Sequence, residues 1–418
     1  MRILLYEIRK AMVSPIILTL LALFIGFNFF LIYQNAYIKK DLREVNRIAD
    51  TYGTVINDEM VSRMKSDYEA QMEKVNGITY KVLSKTYQDM NDFYSDTTFY
   101  TGEAFTEKDL ELFSNTALLE MYYFTSLHID KNFREIDPVK IAESEIKKYR
   151  ISGAAAELIR SQYDKFNERY SKVLKNKEYK HLFPAQSIFE THLLLFKTMF
   201  KSFLLESLIL TVLVTAYVMN FEFDRGTYLL TYSSKRGRKL WLDKLLAALI
   251  TNVGMLTLLL GIGIAAYFSV FSYRNFWHVP ISTYFNAGKG WFMSWWNLSF
   301  LEYLAFVIVL AYLLIILFTF MSVFLARWVR NSYLVFFIFL CLFGVIFAIQ
   351  GPIPSNNIAY ILGFFTPVNL VLNSFVWFMY RPVTLTAYFE LITVAVWFVI
   401  LLLATTFCAR SFRKCDLN

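Results

Sequence analysis

Cysteine, histidine and proline are all scarce in this chain of 418 residues. There are three cysteines, four histidines and eight prolines. The cysteines lie in or after the last apolar stretches, and residues 38–188, the most polar part of the chain, have none. A disulfide framework is therefore excluded in that segment. No two histidines or cysteines have the spacing of a zinc site, so we predict no metal site.

Charged side chains are also scarce, except in one segment. They make up 18% of the chain, against about 25% in an ordinary soluble domain. Residues 38–188 hold 48 of them, whereas the other 267 residues hold only 28. No soluble core needs that much uncharged chain. The distribution indicates an all-α polytopic membrane protein with one large polar insert at 38–188.

Six stretches are apolar enough to cross a membrane as helices. A crossing needs about 20 mostly apolar residues, because about 30 Å of hydrocarbon is spanned at about 1.5 Å per residue. We therefore predict six transmembrane helices, of which the fifth is just long enough, and an interfacial helix in 189–221 ahead of the second. The predicted spans are 15–37, 203–221, 245–272, 301–326, 332–350 and 385–408.

Basic residues beside the spans predict the orientation. Clusters lie in residues 2–10, 225–244, 327–330 and 409–418, and six spans place all four on one side. By the positive-inside rule this side of the cell membrane is cytoplasmic, and both termini lie there. The insert is then extracellular. Because the net charge of +8 collects beside the spans, it does not indicate nucleic-acid binding.

Residues 356–380 are apolar enough for a seventh span, which would place the C-terminal basic cluster outside. However, Pro367 and polar residues interrupt this stretch. We predict instead two short re-entrant or interfacial helices hinged at Pro367, within an outer segment at 351–384. Broken backbone is tolerated there if protein covers it. The outer loop 273–300 is rich in tryptophan, which is typical of an interfacial belt.

The insert shows the periodicity of helices. Apolar residues recur every three or four positions in two stretches, as in amphipathic helices. We predict a mostly helical extracellular domain in which these stripes form the core, and a ligand-gripping role for the Met/Tyr stripe is the open alternative. The stripes are Ile56, Met60, Met64, Tyr68, Met72 and Val75, and Ile159, Tyr163, Phe166, Tyr170 and Val173.

Glu206 is the ionisable residue that lies well inside a predicted span, since Glu302 and Glu390 lie near span ends. On insertion scales such a group costs about 2.5–3.5 kcal/mol at the bilayer centre, so a functional role is considered first. Two interpretations stay open. Glu206 pairs with a neighbouring helix or with Lys201 near the interface, or it takes part in handling substrate or protons.

The sequence contains no catalytic constellation. A Gly-x-x-x-x-Gly-Lys-Ser/Thr motif is absent, and the closest fragment, Gly288-Lys289-Gly290, lacks the first glycine and the hydroxyl. We therefore predict that the chain is not itself an enzyme and binds no cofactor.

Residues 222–244, between the second and third spans, carry the most specific pattern. Acidic residues are followed by a Gly-Thr break, a short amphipathic run and a basic element. This order resembles the coupling loop of the permease subunits of type 2 ABC exporters, except that Lys235 stands where the family usually has proline. The residues concerned are Glu222, Phe223, Asp224, Arg225, Gly226, Thr227, Leu229, Leu230, Ser233 or Ser234, Arg236 and Lys244.

The resemblance implies a function and a set of partners. The loop would dock on a separate ABC ATPase subunit, present in two copies that bind ATP and magnesium, with residues 1–14 as an amphipathic connecting helix beside it. A second permease subunit, identical or different, would complete the translocation path through the lipid. The substrate exported would be hydrophobic or amphipathic, such as an antimicrobial peptide, another antibiotic or a lipid. The large insert is similar to that of peptide-antibiotic and sodium-exporter-like permeases.

Two other classes of function stay open. A membrane-anchored sensor or scaffold, whose extracellular helical domain binds a ligand or an envelope partner, would also fit the large insert and the sparse polar lining of the spans. A polytopic membrane enzyme is a third possibility, but the sequence shows no catalytic constellation that supports it.

Overall fold

The computed structural model describes residues 2–96, 104–185, 193–234, 237–287, 293–349, 352–380 and 386–414. Helices make up 79% of the structure, and the described residues form no strand. The all-α class is therefore confirmed. The helices are α1 (Arg2–Met12), α2 (Pro15–Gln34), α3 (Lys39–Tyr52), α4 (Asp58–Leu83), α5 (Met90–Ser95), α6 (Glu107–Arg134), α7 (Pro138–Lys148), α8 (Gly153–Asn176), α9 (Leu194–Asp224), α10 (Tyr228–Ser233), α11 (Leu240–Val270), α12 (Tyr284–Ala287), α13 (Phe300–Trp328), α14 (Ser332–Ala348), α15 (Ile358–Leu362), α16 (Pro367–Leu372) and α17 (Phe389–Lys414).

Five helices in the described part of the chain are long and apolar enough to cross a membrane: α2, α9, α11, α13 and α17. The apolar helix α14 has only 17 residues, because it ends at Ala348. The sequence predicted six spans, the fifth at 332–350. The structure supports the other five by length, and the fifth predicted span, at α14, stays a prediction.

Helix α9 is the central helix of the bundle. It packs against α2, α11, α13 and α14, and a larger share of it is buried than of α2 or α17. Its first six residues, Leu194–Met199, are π-helical, and it ends at Asp224. The helix therefore extends beyond the predicted second span, 203–221, at both ends, and residues 222–224 of the predicted loop belong to its last turn.

A buried polar junction joins three helices of the bundle. Asn252 of α11 donates hydrogen bonds of 2.9 Å to the hydroxyl oxygens of Thr215 on α9 and Thr319 on α13. All three residues are buried. The amide N–H groups of Asn252 thus find acceptors on two neighbouring helices, so the junction favours close contact of α9, α11 and α13.

Helices α3 to α8 form the insert, and all eleven residues of its two predicted apolar stripes are buried. Helix α4 packs on α6, and α7 packs on α8. Side-chain caps start α4 and α6: Asn57 accepts from the N–H of Met60 at 2.8 Å, and Thr106 forms a capping box with Asp109. The interpretation of the Met/Tyr stripe as core packing is therefore confirmed.

The insert packs directly on the connection between α11 and α13. Arg169 of α8 forms a two-bond ion pair with Glu178, at 2.9 and 2.6 Å. The same guanidinium donates to the carbonyl oxygens of Ser294 and Trp296 of that connection, at 3.2 and 3.1 Å. Both charged side chains are buried. The insert and the neighbouring end of the bundle consequently share one apolar core.

The stretch 356–380 forms two short helices, α15 and α16, and not one long helix. Pro367 is the first residue of α16, where a proline needs no amide hydrogen. Thr366 caps this helix by accepting from the N–H of Asn369 at 3.2 Å. Whether these helices lie at a membrane surface stays a prediction.

Candidate functional site

Helix α9 ends in a glycine turn at the end of the bundle away from the insert, which we call the loop end. Gly226 has a φ of +68°. The N–H of Thr227 donates to the carbonyl oxygen of Glu222 at 2.9 Å, and the N–H of Gly226 donates to that of Phe223 at 3.1 Å. This is a Schellman motif, which needs a left-handed residue, and glycine adopts that conformation without strain. The Gly-Thr break therefore ends α9 and starts the connection 225–239.

Four charged side chains from three helices meet beside this turn, and we call them the ionic cluster. Glu222 of α9 pairs with Lys244 of α11. Lys10 of α1 lies 3.2 Å from Glu222 and 2.8 Å from Glu7. Glu7, Glu222 and Lys244 are each less than 5% exposed. Two carboxylates face two ammonium groups, so the cluster is neutral, as buried charges require.

Lys10 and Tyr232 complete the surroundings of Glu222. Partial burial lowers the pKa of Lys10, but the neighbouring Glu7 and Glu222 outweigh that effect, so the pKa is raised. The ammonium group also lies 4.3 Å from the centre of the Phe221 ring, a cation–π contact. The hydroxyl of Tyr232, on α10, donates to Glu222 at 3.4 Å. Helix α10 is thereby attached to the ionic cluster.

Helix α10 turns two leucines away from the protein. Leu229 is 52% exposed and Leu230 is 80% exposed, whereas Tyr232 on the same helix is buried. Phe223 and Tyr228 stack with ring centroids 5.1 Å apart, which holds the start of α10 against the end of α9. The connection therefore presents adjacent apolar side chains from a fixed position.

The structure divides the predicted loop residues into two groups. Glu222 and Lys244 lie inside α9 and α11 and are buried in the ionic cluster, and Phe223 is half-buried. Arg236 lies outside the described residues. Glu222, Phe223 and Lys244 can position the connection, whereas the exposed residues can contact another molecule. The exposed group consists of Asp224, Arg225, Gly226, Thr227, Leu229, Leu230, Ser233 and Ser234.

Sequence reasoning did not single out Glu7 or Gly237 as part of this site. Glu7 stands three residues before Lys10 on the amphipathic helix α1, a spacing that predicts a local ion pair. A Cβ atom added to Gly237 would lie 2.6 Å from the Cα atom of Tyr232, so a larger residue would push the end of the connection away from α10. The resemblance placed residues 1–14 beside the loop, but it did not pair Lys10 with Glu222, 212 positions away.

A second polar site lies within the bundle. The Nδ2 atom of Asn28, on α2, donates to the Oε2 atom of Glu206, on α9, at 2.7 Å. Both residues are buried. Of the partners considered from the sequence, the structure therefore gives Glu206 a neighbouring helix, and among the described residues no hydrogen bond or salt bridge joins it to Lys201.

No group of three or more His, Cys, Asp or Glu side chains among the described residues is arranged to hold a metal ion. The chain matches no family model, no curated protein and no solved structure.

Proposed function

We propose that this chain is the permease subunit of an ABC exporter, driven by a separate ATPase subunit that docks on the connection 225–239. The observation that supports this proposal best is the ionic cluster. It ties α1, α9 and α11 together directly behind the exposed helix α10. A force applied to Leu229 and Leu230 would then reach three helices of the bundle through buried ion pairs, as coupling to an ATPase requires.

The proposed orientation has the loop end in the cytoplasm and the insert outside. The basic stretch 327–330 lies next to the last turns of α9, just ahead of the connection 225–239, since Arg330 stands 5.3 Å from the centre of the Phe223 ring. The amide of Asn220 also donates to the carbonyl oxygen of Val329 at 2.8 Å. This closeness agrees with the positive-inside rule. In this arrangement α14 is the fifth of six spans.

The proposed substrate is hydrophobic or amphipathic. A groove of about 890 Å³ runs between α11, α13 and α17. Its lining includes Val253, Phe320 and Phe398 and contains no charged residue. A peptide or lipid with a large apolar part fits such a lining, whereas a small ion does not. Two copies of the ATPase and a second permease subunit would complete the exporter.

The test is affinity purification of the full-length chain from its native membranes in mild detergent, followed by protein identification and an ATP hydrolysis assay. We expect a P-loop ATPase in stoichiometric amount. The paired change Leu229→Asp and Leu230→Asp should remove the ATPase, because two charges then face the apolar contact.

A matched control changes two exposed apolar residues of the insert. Leu127 and Val139 are 46% and 47% exposed, so Leu127→Asp with Val139→Asp alters a similar amount of surface elsewhere. This variant should retain the ATPase. An unmodified protein that copurifies with no ATPase would refute the proposal and favour the sensor or scaffold function of the insert.

A further inference from the structure

Glu206 of α9 and Asn28 of α2 form an isolated polar pair inside the apolar bundle. Glu206 is 5% exposed and Asn28 is 3% exposed. One hydrogen bond of 2.7 Å joins them, from Asn28 Nδ2 to Glu206 Oε2. Within the described ranges this is the only side-chain hydrogen bond between α2 and another helix. Among the described residues, the pair is therefore the one side-chain hydrogen bond that fixes the position of α2 along α9.

Each partner of this pair keeps one oxygen without a donor. Glu206 Oε1 and Asn28 Oδ1 are both buried, and neither has a hydrogen-bond partner in the described part of the protein. An ionised carboxylate only accepts hydrogen bonds, as does an amide oxygen. Two unsatisfied acceptors in an apolar interior are unfavourable. A single proton on Glu206 supplies the missing donor.

No cation in the described bundle is placed to hold Glu206 as a carboxylate. Helix α2 has no charged residue, and its Tyr33 is 80% exposed. Helices α14 and α16 have no charged residue either. None of the charged groups on the remaining helices around the pair forms a salt bridge or hydrogen bond with Glu206. These groups are Arg2, Glu7, Arg9 and Lys10 on α1, Lys197, Lys201, Glu222 and Asp224 on α9, Asp243 and Lys244 on α11, and Glu302 and Arg327 near the ends of α13.

We propose that Glu206 is a proton-binding site and forms a cyclic acid–amide pair with Asn28 in the folded protein. The carboxyl O–H of Glu206 donates to Asn28 Oδ1, while the N–H of Asn28 Nδ2 donates to the carbonyl oxygen of Glu206. The pair is neutral, and both oxygens are satisfied. Loss of the proton leaves a carboxylate that must recruit water, so the contact between α2 and α9 depends on protonation. This inference is independent of the proposed transport function.

The test is infrared spectroscopy of the full-length protein reconstituted at neutral pH in bilayers of ether-linked lipids, which have no ester carbonyl band. A protonated carboxyl group has a C=O stretching band that is separate from the amide and carboxylate bands. We expect this band in the unmodified protein and its loss in Glu206→Gln. Glutamine keeps the shape of the pair and its two hydrogen bonds with Asn28, so this variant should fold.

Two further variants identify the band. Glu390 is a second buried carboxyl group, at 3% exposed, and its Oε1 accepts from the N–H of Phe378 at 2.7 Å. Because this site is separate from the Glu206–Asn28 pair, Glu390→Gln should keep the Glu206 band. Asn28→Leu should move the band to higher frequency, because the carboxyl group loses its amide partner. Equal intensity in the unmodified protein and Glu206→Gln would overturn the proposal. If Glu206→Gln does not fold, a band that survives Glu390→Gln and shifts in Asn28→Leu supports the proposal. Absence of any protonated-carboxyl band at neutral pH overturns it.

Discussion

In the insert, the apolar stripes of α4 and α8 are buried, whereas at the loop end Leu229 and Leu230 face outward. The charged residues show the reverse relation. Many charges of the insert lie on its surface, while Glu7, Glu222 and Lys244 are buried at the loop end. The insert therefore buries its apolar stripes within the chain. The loop end uses buried ion pairs to present apolar residues, which is the arrangement expected where a second protein docks.

The ionic cluster should give the largest loss of stability when it is broken. Glu222→Ala leaves Lys244 buried without its anion, and breaking a buried pair in this way costs about 3–5 kcal/mol. The measurement is the free energy of unfolding in a mixed-micelle denaturant titration. As a control, Glu69→Ala removes the partner of Lys65 in an exposed pair with a distance of 3.8 Å, and it should change little. Equal, small effects of both changes would show that the cluster does not hold the loop end.

Arg169→Met should give the next largest loss of stability, and it tests the end of the bundle where the insert packs. The substitution leaves Glu178 buried and unpaired and removes two hydrogen bonds to the connection between α11 and α13. We expect a loss of about 3 kcal/mol, measured in the same titration, together with faster proteolysis of the insert. Arg160→Met, which removes an exposed pair with Glu143, serves as the comparison and should leave both readouts nearly unchanged.

Gly226→Ala should lower the free energy of unfolding by a smaller amount, about 1 kcal/mol. Alanine must adopt the left-handed conformation that glycine adopts at φ +68°. An added Cβ atom would meet nothing within 4 Å, so backbone strain is the only expected effect. Gly77→Ala is the matched change in the insert. It lies in the interior of α4, again with nothing near the added Cβ, and it should stabilise the protein by about 0.5–1 kcal/mol. The two substitutions should change the free energy of unfolding in opposite directions. A change of the same sign in both variants would contradict this account of the turn.

Leucine truncation should have the smallest effect on stability at the loop end. Leu229→Ala and Leu230→Ala should each change the free energy of unfolding by less than about 0.5 kcal/mol, since both side chains are exposed. Leu119→Ala, in the core of the insert at 3% exposed, should cost about 2–5 kcal/mol. A large effect at Leu229 or Leu230 would mean that α10 packs within this chain and is not free to bind a partner.

The helices could be predicted from the sequence because their signals are local. The apolar period of α4 and α8 and the long apolar runs of α9, α11 and α13 depend on neighbouring residues alone. The ends of helices were less predictable. Glu222 and Asp224 interrupt the apolar run and were assigned to a loop, yet they belong to α9, because Lys244 and Lys10 neutralise Glu222.

The candidate site could be predicted only in part. The sequence singled out Glu222, Lys244 and the two leucines, but it could not tell which of them are buried. That distinction depends on α1 packing against α9 and α11, a contact between distant parts of the chain. The same limit applies to Glu206, whose partner Asn28 lies 178 positions away.

The most direct test of the proposed docking surface is site-specific photo-crosslinking in native membranes. A photoreactive phenylalanine analogue would replace Leu230 in one protein and Leu127 in another. The account predicts a crosslink from position 230 to a P-loop ATPase and none from position 127. A protein that is well expressed, yet gives no crosslink to an ATPase from position 230, would contradict the assignment of α10 as the docking helix.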